Sequence, residues 1–124
     1  MKYMILSSND SLHMHADNKS HDFTVELPRN LNASECALGV MIYSNTNPTE
    51  ELYVLCDICE ESYAHNSMIP LLRVVLEPGE ISNLYFVPIT RKDIQRIRIR
   101  IVNEYLETPS QSLGIVHCTL LFKD

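Results

Sequence analysis

The sequence predicts an all-β fold: a single domain over residues 1–124, a β-sandwich of about eight strands, jelly-roll-like, with at most one short helical turn. Three observations predict it. Apolar and polar residues alternate with a period of two in several segments, the mark of a strand with one buried face. Other segments are short and apolar throughout, as strands covered on both faces are. Turn-forming residues separate these segments, and no long stretch carries a helical period.

In chain order, YMILSS reads as the first strand. DFTVEL follows, with Phe23, Val25 and Leu27 on one face and Asp22, Thr24 and Glu26 on the other. CALGVMIY, LYVLCDIC, LLRVVL and LYFVPI are the continuously apolar strands. RIRIRIV sets Ile97, Ile99 and Ile101 against Arg96, Arg98 and Arg100. LGIVHCTLLF closes the set, with Val116, Cys118, Leu120 and Phe122 opposite Ile115, His117, Thr119 and Leu121. Turns are expected at Asn9-Asp10-Ser11, Asp17-Asn18-Lys19-Ser20, Pro28-Arg29-Asn30, Asn45-Thr46-Asn47-Pro48, Pro78-Gly79 and Thr108-Pro109-Ser110. The helical turn is placed on TRKDIQ, where Thr90 would be the N-cap and Asp93 stands three residues on.

A chain of 124 residues supports one core without a metal or disulfide staple. Hydrophobic residues at 45% and charged residues at 21% are a globular balance and argue against disorder. MKYMIL falls short of a signal-peptide apolar region, and no apolar run approaches a membrane span, so secretion through a signal peptide is not expected. Cys36, Cys56, Cys59 and Cys118 are therefore expected to stay free thiols. The sequons at Asn9, Asn18 and Asn32 read as accidents of an Asn- and Ser-rich stretch.

Enzyme chemistry finds no foothold. Cys56-x-x-Cys59 ends an apolar run instead of opening a helix, and it lacks a second ligand pair of zinc-site spacing beyond His13-x-His15. Adjacent His117 and Cys118 face opposite ways on a strand, and no G-x-S-x-G elbow is present. Three scattered glycines, Gly39, Gly79 and Gly114, cannot form a phosphate loop. No catalytic residue, cofactor or metal is expected.

Charge is the informative feature. Residues 91–100 carry five cations and one acid, a segment of +4 in a chain of net charge -6, so the remainder holds -10. Glu50, Glu51, Asp57, Glu60 and Glu61 are its densest acidic part. Three readings of Arg96, Arg98 and Arg100 stand open. The row is cross-paired with Asp22 and Glu26 of the other amphipathic strand, or it meets a partner subunit, or it meets nucleic acid. The last is disfavoured by the global acidity and by the lack of interleaved aromatics. Pro70, Leu71, Leu72 and Arg73 form a second candidate contact, an apolar run with one charge that opens on a proline tolerated at a strand start or edge.

The order of LSSNDSLHMHADNKSHDFTVELP, CALGVMIY, LYVLCDICEESYAHNSMIPLLRVV, YFVPITRKDIQRIRIRIVNE and LGIVHCTLLFKD resembles a virion protein family carried by Polinton/Maverick elements and adinto-type viruses. The matching positions are Tyr53, Cys56, Asp57, Pro70, Leu71, Leu72, Arg73, Pro88, Thr90, Arg91 and Phe122. Longer members insert a large segment between the third and fourth strands, where this chain has only SNTNPTEE. Ala16 stands where members have a proline, and Cys36-Ala37 where an aromatic often opens the third strand. The resemblance implies a short member lacking the middle segment: a capsid-associated minor component, penton-, vertex- or spike-like, without catalysis. It implies a homo-oligomer, a trimer or pentamer, with other capsid proteins as further partners. Its location would be the virion, with the host cytoplasm or nucleus before assembly. The alternative from another class is a β-sandwich binding module, a receptor- or glycan-binding head.

Overall fold

Both sheets are built around a strand from the last third of the chain. The structure, a computed structural model, describes residues 2–44 and 51–124. Among these residues eleven strands are present: β1 (Lys2–Ser7), β2 (Asp22–Leu31), β3 (Glu35–Tyr43), β4 (Leu52–Cys56), β5 (Ser62–Ala64), β6 (Ser67–Ile69), β7 (Leu71–Val75), β8 (Gly79–Glu80), β9 (Val87–Pro88), β10 (Ile94–Val102) and β11 (Val116–Lys123). One sheet has the order β1-β11-β3-β8, with β9 also paired to β3. The other has the order β2-β10-β4-β7, and β5 and β6 form a separate hairpin. Every pairing is antiparallel. The protein is an all-β sandwich, and no helix long and apolar enough to cross a membrane occurs among the described residues.

The pairings are nested. β4 pairs with β7 around the β5–β6 hairpin, β3 pairs with β8 and β9 outside that, β2 with β10 outside that, and β1 with β11 outermost. The chain is thus one long antiparallel ribbon doubled back on itself, with successive levels laid alternately into the two sheets.

Alternation decides what fills the space between the sheets. Phe23 and Val25 of β2, Ile97, Ile99 and Ile101 of β10, and Val116, Cys118, Leu120 and Phe122 of β11 are buried in one cluster. Leu6, Cys36, Leu38, Met41, Leu52, Val54, Cys56, Leu72 and Val75 join it from β1, β3, β4 and β7. A second, smaller cluster lies on the outer face of β4. Tyr53 and Leu55 pack there with Ile69, Val102, Ala64, Leu71 and Leu106, under the β5–β6 hairpin. This is why LYVLC is apolar at every position: all five residues of β4 are buried.

Bulges correct the parity wherever the beat of two slips. Thr119 opposes Val40 but Leu120 opposes Leu38, so Gly39 is an extra residue on β3. The insertion lets Leu38 and Met41, an odd number apart, both face the core. A Cβ at Gly39 would stand 3.1 Å from Leu121 Cδ1, close enough to press the neighbouring strand's side chain. On β7, Val54 opposes Arg73 and Leu55 opposes Leu71, leaving Leu72 as the extra residue. Leu72 takes the inward position, and Arg73 is turned to the sheet edge.

Three expectations from the sequence are corrected. Pro28-Arg29-Asn30 is not a turn, because β2 runs through it to Leu31. Arg96 opposes Glu26 and Ile94 opposes Leu31, so residues 27–30 bow out where no ladder N–H is required of a proline. The helical turn at Thr90–Asp93 is absent. Thr90 N donates to Ile58 O at 3.0 Å, its hydroxyl faces the same oxygen at 3.4 Å, and Asp93 takes φ 54° while its N–H goes to Asn32 Oδ1 at 3.1 Å. LYFVPI holds only the two-residue β9, with Leu84 and Tyr85 exposed. The turn expected at Asn45-Thr46-Asn47-Pro48 lies outside the described residues.

Ile99 is wholly buried and centrally placed on β10. Ile99→Ala is expected to destabilise the protein by about 2–5 kcal/mol, through lost transfer energy and the cavity left behind. Urea denaturation measures it, and a cost below about 1 kcal/mol would contradict the placement of this strand at the centre of the core.

Candidate interaction surface

With the isoleucines of β10 facing the core, strand geometry turns Arg96, Arg98 and Arg100 onto the outer face of the second sheet. Opposite them on β2 stand Glu26, Thr24 and Asp22 in that order. Arg96 Nε lies 3.2 Å from Glu26 Oε1. Arg98 reaches diagonally and donates from Nε to Asp22 Oδ1 at 2.9 Å and from Nη2 to Asp22 Oδ2 at 2.7 Å, a bidentate fork. The hydrogen bond from Arg98 comes first in holding the Asp22 carboxyl below its usual range, with the charges of Arg98, Arg100 and His21 adding to it against the cost of burial.

The neighbouring segments extend the pattern. Glu26 Oε1 also accepts from His15 Nε2 at 2.8 Å. Asp57 Oδ1 accepts the Arg98 backbone N–H at 2.9 Å, and its Oδ2 accepts from Arg91 Nη2 at 3.2 Å. Cross-pairing with Asp22 and Glu26 therefore accounts for Arg96 and Arg98. Arg100 is the surplus cation: its register partner Asp22 is already bound by Arg98, and no ion pair forms to Arg100 among the described residues.

The second candidate contact lies at the other end of the same sheet. Pro70 O accepts the Cys56 N–H at 3.0 Å, which ties the start of β7 to β4. Leu71 packs into the outer cluster, whereas Leu72 is 2% exposed and belongs to the sandwich core. Leu72 is thus corrected from a contact residue to a packing residue, since the bulge carries its side chain inward. Arg73 Nη1 donates to Asn83 O at 2.6 Å and lines a groove of about 510 Å³ with Glu60, Ser62, Val74 and Tyr85. The covered outer face of β4 separates this groove from the arginine row.

All four cysteines are free and buried in the core cluster. Cys56 and Cys59 close a tight turn, with Cys59 N donating to Cys56 O at 3.0 Å. Their thiols, hydrogen-bonded within the group and desolvated, are pushed well up, and burial raises that of Cys118 to about 12. Thiols held protonated in this way are poor nucleophiles. Among the described residues no cluster of three or more His, Cys, Asp or Glu side chains is arranged to hold a metal.

The sequence missed the use of the segment between β1 and β2. Ser11 Oγ accepts the Glu26 N–H at 2.9 Å, Asn18 Oδ1 accepts the Thr24 N–H at 2.9 Å, and Asn18 Nδ2 donates to Thr24 O at 2.8 Å. Two side chains thereby do for the free edge of β2 what another strand would do. Nδ2 of Asn18 also donates to Asp10 O at 3.1 Å, so the atom a glycan would occupy is committed. Only the clustering of Asn, Asp and Ser hinted at this role.

No protein-family model matches this chain, and no curated protein is significantly similar to it.

Two measurements check the site. Asp22→Asn is expected to cost about 0.5 kcal/mol at neutral pH in low salt, the carboxylate being partly exposed and screened. The folded carboxyl titrates below its unfolded value, so its contribution is fully present above pH ~4 and fades as pH falls through the folded value. Urea midpoints of the two proteins should converge in acid, and a constant gap from pH 7 to pH 2 would exclude the pairing. For the cysteines, a water-soluble aromatic disulfide reagent should titrate four thiols in urea and fewer than one in the native protein within minutes. Rapid native labelling of Cys56 or Cys59 would contradict their burial.

Proposed function

We propose that the chain is a viral or virus-derived structural protein, a capsid-associated minor component that acts by homo-oligomeric assembly and not by catalysis. The observation that carries this reading is the nested strand order, β1-β11-β3-β8 over β2-β10-β4-β7. It is the order a doubled ribbon gives when rolled into a jelly roll, an arrangement used by viral capsid and lectin domains. Fold alone does not fix function. The resemblance of the ordered segments to Polinton- and adinto-type virion proteins supplies the second support, and the arrangement of charge the third.

On this reading the surplus Arg100 of one copy meets exposed acids of the next. Glu60 and Glu61 are exposed, and Glu60 borders the Arg73 groove at the opposite end of the sheet. A basic patch and an acidic patch on different parts of one molecule make a head-to-tail contact, which closes into a ring when the rotation permits. On this reading the ring is the trimer or pentamer of a penton-, vertex- or spike-like component that the resemblance implies. Arg suits the contact because its planar fork binds carboxylates in pairs of hydrogen bonds.

Electron microscopy and light scattering of the purified protein test this. Rings are expected. Arg100→Gln should shift the assembly midpoint at least tenfold in concentration, and Arg→Gln at 96, 98 and 100 together should shift it further. A particle of unchanged mass in all variants and at high salt would overturn the reading. The groove, with exposed Tyr85 beside Arg73, Glu60 and Ser62, favours one rival: a glycan- or receptor-binding head. That rival predicts a monomeric or weakly associating protein whose glycan or cell-surface binding is lost on Tyr85→Ala.

A further inference from the structure

We propose that the outer edge of β1 is a self-pairing surface, at which two copies of the chain join β1 to β1 antiparallel about a two-fold axis through Met4. The first observation is which backbone groups that edge leaves open. Among the described residues β1 ends its sheet, with β11 on one side and no strand on the other. Its register runs from Lys2↔Phe122 to Ser7↔His117, and one step further Ser8 N donates to Val116 O at 2.9 Å. Antiparallel ladders alternate hydrogen-bonded and open pairs. Lys2, Met4 and Leu6 therefore bond to β11, while Tyr3, Ile5 and Ser7 direct N–H and C=O outward. Ser7 is already served, since its N–H donates to Asp10 Oδ2 at 2.9 Å and its carbonyl accepts the Asp10 N–H at 2.9 Å. Tyr3 and Ile5 have no backbone partner on this side among the described residues.

The other edges of the two main sheets are closed or blunted. Ser11 and Asn18 side chains cap β2, β8 and β9 are two residues each, and β7 is bulged with Arg73 turned to its edge. β1 has six residues, no proline and a single charge at its first position, Lys2. Long apolar edges of this kind pair with other strands unless something blocks them.

The open groups also select the partner and the register. Tyr3 opposite Ile5 of a second copy satisfies all four groups in two reciprocal pairs. Ile5 opposite Ile5 would bring Tyr3 against a Ser7 already held by Asp10. Tyr3 opposite Tyr3 would leave Ile5 without a facing residue among the described ones. The chosen register sets Lys2 against Leu6 and avoids a like-charge pair. Tyr3 and Ile5, 69% and 62% exposed, then lie side by side across the dyad and join the row formed by Leu121 and Thr119. A strand with its own complement is the requirement for a closed two-fold contact. β1 belongs to the first sheet and the arginine row to the second, so this contact leaves the proposed ring contact free.

Cysteine cross-linking of the full chain tests the register. At the dyad, Met4 would face its copy as an open pair with Cα atoms ~4.5 Å apart, a spacing a disulfide spans. Met4→Cys, oxidised with diamide, should run predominantly at twice 14.2 kDa on a non-reducing denaturing gel. Lys2→Cys, with its two copies four strand positions or ~13 Å apart, should stay monomeric. Ile5→Pro removes only an outward N–H and keeps the ladder to β11. It should weaken dimerisation at least tenfold in sedimentation equilibrium, with an unchanged urea midpoint. Failure of Met4→Cys to cross-link, equal cross-linking of Lys2→Cys, or an unaltered dimer in a folded Ile5→Pro would each overturn the proposal. Should Ile5→Pro not fold, the cysteine pair decides alone. Cross-linked dimers without rings would support this contact and remove the ring reading, and rings without the Met4 cross-link would do the reverse.

Discussion

The structure depends on two strands, β10 and β11, each paired on both sides within its sheet. β10 holds β2 and β4, and β11 holds β1 and β3. Between them they supply Ile97, Ile99, Ile101, Val116, Cys118, Leu120 and Phe122 to the shared apolar layer. Burial of that layer is the dominant favourable term in folding, and it exists only once the last third of the chain has docked onto the first half. The nested pairing makes these contacts long in sequence, Lys2 beside Phe122 being the extreme. A domain of this topology folds against a large loop-closure cost and more slowly than a helical chain of equal size.

The charged outer face follows from the same constraint. Once Ile97, Ile99 and Ile101 are committed inward, the intervening arginines have nowhere to go but solvent or a neighbouring carboxylate. Asp22 and Glu26 stand on the adjacent strand for the same reason, as the outward residues of a strand whose Phe23 and Val25 are buried. Three guanidinium groups then meet two carboxylates, and the excess falls on Arg100. Of the five cations between residues 91 and 100, Arg91, Arg96 and Arg98 form ion pairs within the molecule, and Arg100 is what the row leaves over.

How the sandwich treats its edges separates its structural needs from its contacts. A sheet edge exposes a row of backbone donors and acceptors, and proteins blunt such edges. Here the segment between β1 and β2 spends Ser11 and Asn18 on the edge of β2, and the bulge of β7 turns Arg73 to another. The cysteines have a different place in the architecture: they act as small apolar fillers where the two sheets meet. Cys56-x-x-Cys59 has the spacing of a redox motif. It sits at a strand end inside the core instead of at a helix N-terminus, so hydrogen bonds among the thiols, together with desolvation, keep them protonated.

The strand content, the two faces of β2, β10 and β11, and the pairing of arginines with Asp22 and Glu26 were all legible in the residue pattern, because side chains on a strand must alternate. The double burial of β4 was legible as an unbroken apolar run, although its cover, the β5–β6 hairpin of three-residue strands, was too short to carry a period. Pro28, Thr90 and the LYFVPI run misled, since each is a local signal that long-range pairing overrode. Local chemistry by itself determined which faces are greasy and which are charged. Strand order, the bulges at Gly39 and Leu72, the surplus on Arg100 and the capping of one edge by Asn18 were decided only in three dimensions, because each depends on which distant strand lies alongside.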